Sequence, residues 1–333
     1  MAKSRSFFGL RTGSTKTLTF QVNNGKQVTK DRVYIVKNPK TNAQMRQRAC
    51  FATVTAAYKT LAEICDHSFE GVEGKTANQS TFVRKAIELM RTRSEMFNPS
   101  GWKFMLPNPY LIADGSLSFN VSVATDFEPY SDQHNDKAFT VVECKGLSAL
   151  YGDSDKVAAF TWADFCSAAG VEAGDQVTFV AVMPYLGSKH SGGMHSTALK
   201  LVRVIVPDSS ALKSTCFELI DAGLNLWKFK NQAQNSQVSD DFLLRINTGL
   251  FEFGFYNLSG ETDEVGIIAA SVIRSKYGNN SWKRSRAELS VVEYSTMVWY
   301  GKYTMESILP TWDPSGNLYL NNAKTNNSPS VWE

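Results

Sequence analysis

The sequence predicts an α+β fold in which an N-terminal β-hairpin and helical hairpin precede mainly antiparallel, sandwich-like β lobes. Three observations predict it. An Asn-Gly turn separates two strand-like runs within 15–36, apolar residues recur at helical spacing from Phe51 to Cys65, and short alternating segments follow residue 111. With 333 residues and 43% hydrophobic content, the chain is long enough to bury sizeable cores.

The first predicted element is the hairpin. Apolar and polar residues alternate in TKTLTFQV (15–22), and a second β-branched run, QVTKDRVYIV, occupies 27–36. Asn24-Gly25 lies between them and suits a type I′ turn, which needs positive φ at both central positions. Lys30 and Arg32 are two residues apart and therefore share one face of the second strand. A two-stranded hairpin alone is marginally stable, so we expect it to pack on another element.

Two helices are predicted next. Thr41 and Gln44 have capping-box spacing after the strand-breaking Asn-Pro at 38–39. One apolar stripe then includes Phe51, Val54, Tyr58, Leu61 and Cys65. A second helix is expected from about Ser80 to the Asn-Pro-Ser-Gly at 98–101, with a basic outer face typical of a solvated helix.

The remaining chain is predicted to be rich in strands. LSFNVSV (117–123) alternates strictly, and similar runs continue to about residue 303, with one short helix at TWADFCSAAG (161–170). Polar stretches near 207–210 and 230–241 suggest boundaries. We therefore predict a basic hairpin and two-helix region at 1–110, a β-rich domain at 111–210, and a second β-rich region with a flexible C-terminal tail at 211–333.

The charge is distributed unevenly. The net charge is +3, but residues 1–50 hold eleven Lys or Arg and one acidic residue, so the rest of the chain is net acidic. Basic side chains neutralise phosphates, and Phe20 and Tyr34 interleave with them as candidates for stacking on unpaired bases. The alternative is a solvated hairpin whose charge pairs with the acidic body or another subunit. The predicted nucleic-acid-binding residues are Lys16, Lys26, Lys30, Arg32, Lys37, Lys40, Arg46 and Arg48.

No segment predicts catalysis, a cofactor or a metal. GVEGKT (71–76) resembles a phosphate loop, but Phe69 stands where the first glycine is required. His190 and His195 have no neighbouring ligand to complete a metal set. The five cysteines are irregularly spaced and contain no CxxC pair. We therefore predict a protein that is not an enzyme. A hydrolase with a site assembled through space stays as an alternative.

A signature joins the hairpin to the first helix. It consists of Asn38, Pro39, Lys40, Thr41, Ala43, Gln44 and Arg48. In this respect 9–65 resembles the N-terminal part of a family of uncharacterised phage and Bacteroidota proteins, in which a basic β segment precedes an Asn-Pro-[Arg/Lys]-Thr-x-Ala-Gln-x-x-x-Arg helix start. The likeness extends loosely to about residue 185. It implies a virion component and supplies no catalytic residues.

Together these features predict a structural component of a bacteriophage particle, associated with the capsid or tail. The expected partners are other copies of the chain, other virion proteins, and DNA or RNA through the basic N-terminal region. No membrane partner is expected, because no apolar run reaches about 18 residues. The expected location is the virion, and the host cytoplasm before assembly. The alternative is a cytoplasmic accessory protein that binds single-stranded nucleic acid.

Overall fold

The computed structural model describes residues 3–4, 11–23, 26–31, 42–92, 110–131, 138–147, 154–184, 197–230, 236–247, 250–256, 267, 269–278, 281–291, 310–312 and 318–320. The chain divides into two compact units, Met1–Met45 and Arg46–Glu333. The division thus falls near residue 45 and not at the predicted boundaries near 110 and 210. The tail predicted to be flexible, after residue 320, lies outside the described residues.

The N-terminal unit contains an antiparallel sheet whose strands follow one another in chain order. Its strands are β1 (Lys3–Ser4), β2 (Arg11–Ser14), β3 (Leu18–Asn23) and β4 (Lys26–Asp31). Asn23 pairs with Lys26 across the β3–β4 hairpin, which leaves two residues for the turn. The predicted hairpin is confirmed, and β2 adds a further strand beside it.

The predicted helical hairpin is also present. Helix α1 is Asn42–Cys65 and α2 is Lys75–Thr92, so the second helix begins five residues before the predicted start. Tyr58 packs on Phe82, with 5.6 Å between the ring centroids. Phe51 was expected in the same apolar stripe, but 55% of its surface is exposed. The stripe is therefore buried from its second position, Val54, onward.

Two antiparallel sheets make up most of the second unit. Its strands are β5 (Tyr110–Ala113), β6 (Ser122–Ser131), β7 (Ala138–Lys145), β8 (Gln176–Pro184), β9 (Thr197–Ile205), β10 (Phe217–Asp221), β11 (Leu226–Phe229), β12 (Phe242–Asn247), β13 (Leu250–Tyr256), β14 (Ala269–Gly278), β15 (Ser281–Arg284), β16 (Ala287–Val291), β17 (Pro310–Trp312) and β18 (Leu318–Leu320). The first sheet has the order β10-β11-β12-β13-β7-β6. The second has the order β5-β16-β14-β8-β9, with β15 paired to β14, and β17 and β18 form a separate pair.

The two sheets share one aromatic core. Phe179 of β8 belongs to the second sheet, and its ring centroid lies 5.2 Å from that of Phe253 and 5.4 Å from that of Phe242, both in the first sheet. Facing sheets that bury such rings between them form a β-sandwich. The sandwich-like prediction is therefore confirmed.

Strand pairing joins the two β-rich regions that the sequence separated at residue 210. Strand β7 pairs with β13, and β8 pairs with β14, so each sheet takes strands from both regions. These two pairings join strands that are distant in sequence, and burial of the shared core favours them. The residues 111–210 and 211–333 contribute to one sandwich instead of two lobes.

Two short helices, α3 (Ser154–Ala159) and α4 (Trp162–Ala169), precede β8. Helix α4 matches the predicted short helix. Thr161 and Asp164 form a capping box at its start, and Gly170 adopts the left-handed conformation at its end. The Trp162 ring stacks on Phe229 at 5.8 Å, so α4 adds to the aromatic core. No helix in the described part of the chain has the length and apolar character required to cross a membrane.

Candidate nucleic-acid-binding surface

The β3–β4 hairpin places two predicted binding residues on one face. Lys26 pairs with Asn23 and Lys30 pairs with Thr19, without a register shift between them. Side chains at even spacing on a strand point to the same face, so both lysines project from one side of the sheet. The two lysines are four positions apart, which is about 13 Å along the strand. Both are exposed. The hairpin therefore presents two separated cations to solvent.

Lys16 extends this basic surface at one end. It lies in the turn between β2 and β3, where Leu18 donates its backbone N–H to the Thr15 hydroxyl at 3.2 Å. Lys16 is exposed. Because Thr19 pairs with Lys30, the turn that carries Lys16 is at the Lys30 end of the hairpin. We define Lys16, Lys26 and Lys30 as the N-terminal lysine set.

The aromatic residue expected beside these charges lies on the other face. Phe20 pairs with Thr29, and its side chain alternates with those of Thr19 and Gln21. It is half-buried, as are Leu18 and Val22. Phe20 is therefore close to the lysines in the sequence, but it lies on the opposite face of the sheet. The expected interleaving of this ring with the charges is wrong. Tyr34, the other predicted aromatic, lies outside the described residues.

The structure does not describe the side chains of the other five predicted cations. Arg32, Lys37 and Lys40 lie in 32–41, which is outside the described residues. Arg46 and Arg48 lie in α1 and belong to the second unit, and their side chains are not among the described ones. The structure therefore groups three of the eight predicted residues.

The N-terminal unit carries an excess of positive charge. Its 45 residues contain nine Lys or Arg and a single acid, Asp31, so the second unit is net negative. Asp31 alternates with Lys30 along β4 and thus projects from the opposite face. Within the described part of this unit, no ion pair neutralises a lysine of the set. Lysine side chains of this kind are suited to salt-sensitive, sequence-independent contacts with phosphates.

The described cysteines are poor nucleophiles. Burial raises the pKa of the Cys65 thiol to about 12 and raises the pKa values of Cys144 and Cys216 as well. The reactive form of cysteine is the thiolate, and these thiols are protonated at neutral pH. They pack as small apolar side chains in the core.

The other sequence motifs form a connection between helices or lie outside the described residues. Gly71 and Gly74 of GVEGKT take positive φ in the turn between α1 and α2, and Lys75 begins α2. The segment is thus a helix-to-helix connection. His190 and His195 lie outside the described residues. The described residues contain no group of three or more His, Cys, Asp or Glu side chains suited to hold a metal ion.

A second basic and aromatic element was not predicted. Tyr277 and Trp282 form a cross-strand pair at the tip of the β14–β15 hairpin. The sequence signal was available, because 265–287 contains five basic residues and no acid, with an Asn-Asn dipeptide between two aromatic residues. Comparison of the chain with protein-family models, curated proteins and solved structures gives no match.

Proposed function

We propose that the protein is a structural component of a bacteriophage particle and that its N-terminal sheet binds the phosphate backbone of packaged or incoming nucleic acid. The observation that carries the proposal is the exposed lysine set on a compact unit of its own, in which nine basic residues accompany one acid. The helix-start signature at 38–48, which resembles phage-encoded proteins, supports the particle assignment.

The charge distribution separates two roles. The N-terminal unit carries the positive charge, whereas the sandwich is net acidic. A polyanion is therefore attracted to the first unit and repelled on average by the second. Lys26 and Lys30, about 13 Å apart on an extended strand, contact separate phosphates of one nucleic-acid backbone. These contacts position the nucleic acid without reading its sequence.

The sandwich suits the role of a subunit body. Among the described strands, β10 lies at the edge of the first sheet, and its Leu219 and Ile220 are 45% and 46% exposed. Edge strands present unpaired backbone groups, and exposed apolar side chains on them favour association with another chain. This supports contacts between copies of the protein.

Salt-dependent binding tests the nucleic-acid part. Wild type and the variant with Lys16→Gln, Lys26→Gln and Lys30→Gln are titrated with a fluorescent single-stranded oligonucleotide at several salt concentrations. Each lost phosphate contact lowers the slope of log K against log salt by about 0.7 for a single strand, so the triple variant is expected to lower it by about 2. The matched control replaces three exposed sandwich lysines, Lys145, Lys156 and Lys213, with Gln.

The two triple variants remove equal charge, so they separate a specific surface from a net-charge effect. Equal slopes in both variants, or binding that is insensitive to salt, contradict the phosphate contact. Light scattering and electron microscopy of purified protein test the assembly part. Rings, tubes or shells support a particle component. Persistent monomers or dimers that still bind nucleic acid contradict it and favour the accessory protein.

A further inference from the structure

We draw no further inference here: the strongest candidate, the exposed aromatic patch that Tyr277 and Trp282 form at the tip of the β14–β15 hairpin, carries none because nothing in the structure shows what covers it.

Discussion

Replacing Phe179 with alanine tests whether the two sheets form one core. Phe179 is fully buried in β8, and its ring centroid lies 5.2, 5.4 and 5.8 Å from those of Phe253, Phe242 and Phe229. Truncation of a buried phenylalanine removes its transfer free energy and leaves a cavity, at a cost of about 3–5 kcal/mol. With three aromatic partners lost, we expect the upper half of that range.

Equilibrium unfolding in guanidinium chloride measures the change. Far-ultraviolet circular dichroism follows the sheets, and the buried Trp162 and Trp227 contribute to the tryptophan fluorescence signal. Because Phe179 precedes residue 210 and its three partners follow it, both signals should shift together to a lower midpoint. Phe51→Ala is the matched control, since the same atoms are deleted at an exposed site, where the change should stay within about 0.5 kcal/mol.

A loss below about 1 kcal/mol for Phe179→Ala would refute the shared aromatic core. So would two separate transitions, one assigned to residues 111–210 and the other to 211–333, because a common core couples the two regions. An equal loss in Phe51→Ala would show that the effect is not specific to the sheet interface.

Two further substitutions have defined outcomes. Arg274→Met should cost about 3–5 kcal/mol in denaturant unfolding, because the Asp175 carboxylate, which is 0% exposed, loses the guanidinium that lies 2.6 Å from it in a buried ion pair. Lys276→Met, at an exposed ion pair, should change stability little. Thr161→Ala should cost about 1 kcal/mol at neutral pH by removing the α4 cap. Hydrogen bonds from the Thr161 hydroxyl and backbone lower the pKa of Asp164, so their contribution is present above the ordinary aspartate pKa and is lost as the pH falls through the lowered value. Thermal unfolding at pH 7 and pH 2 should therefore show a smaller difference between wild type and Thr161→Ala at the acidic pH.

Local elements were predictable where local chemistry determines them. The Asn24-Gly25 turn predicts a two-residue hairpin, and the register of Asn23 with Lys26 agrees with it. Thr161 and Gly170 likewise bound a short helix through capping that involves near neighbours. The exposure of Phe51 was not predictable, because periodicity identifies a stripe but not how far along the helix its partner extends.

The candidate site shows the same distinction. Strand alternation places Lys26 and Lys30 on one face, and with the hairpin register it places Phe20 on the other face. Their closeness in the sequence suggested instead that the ring and the two lysines act together. The Trp282 ring of the Tyr277–Trp282 pair lies 6.0 Å from the Arg284 Cζ, and Arg284 is anchored by carbonyls more than 200 positions earlier in the chain. No local pattern contains that contact.

The sequence by itself determined the fold class, the N-terminal hairpin, the helical pair and the concentration of positive charge, because turn chemistry, side-chain alternation and residue charge act over a few positions. Only the tertiary structure decided the strand order and the union of 111–210 with 211–333 in one sandwich. Those features depend on which distant apolar surfaces bury one another. Many strands share a similar pattern of apolar residues, so the local sequence does not identify the partner of a given strand. Packing within a single core selects that partner.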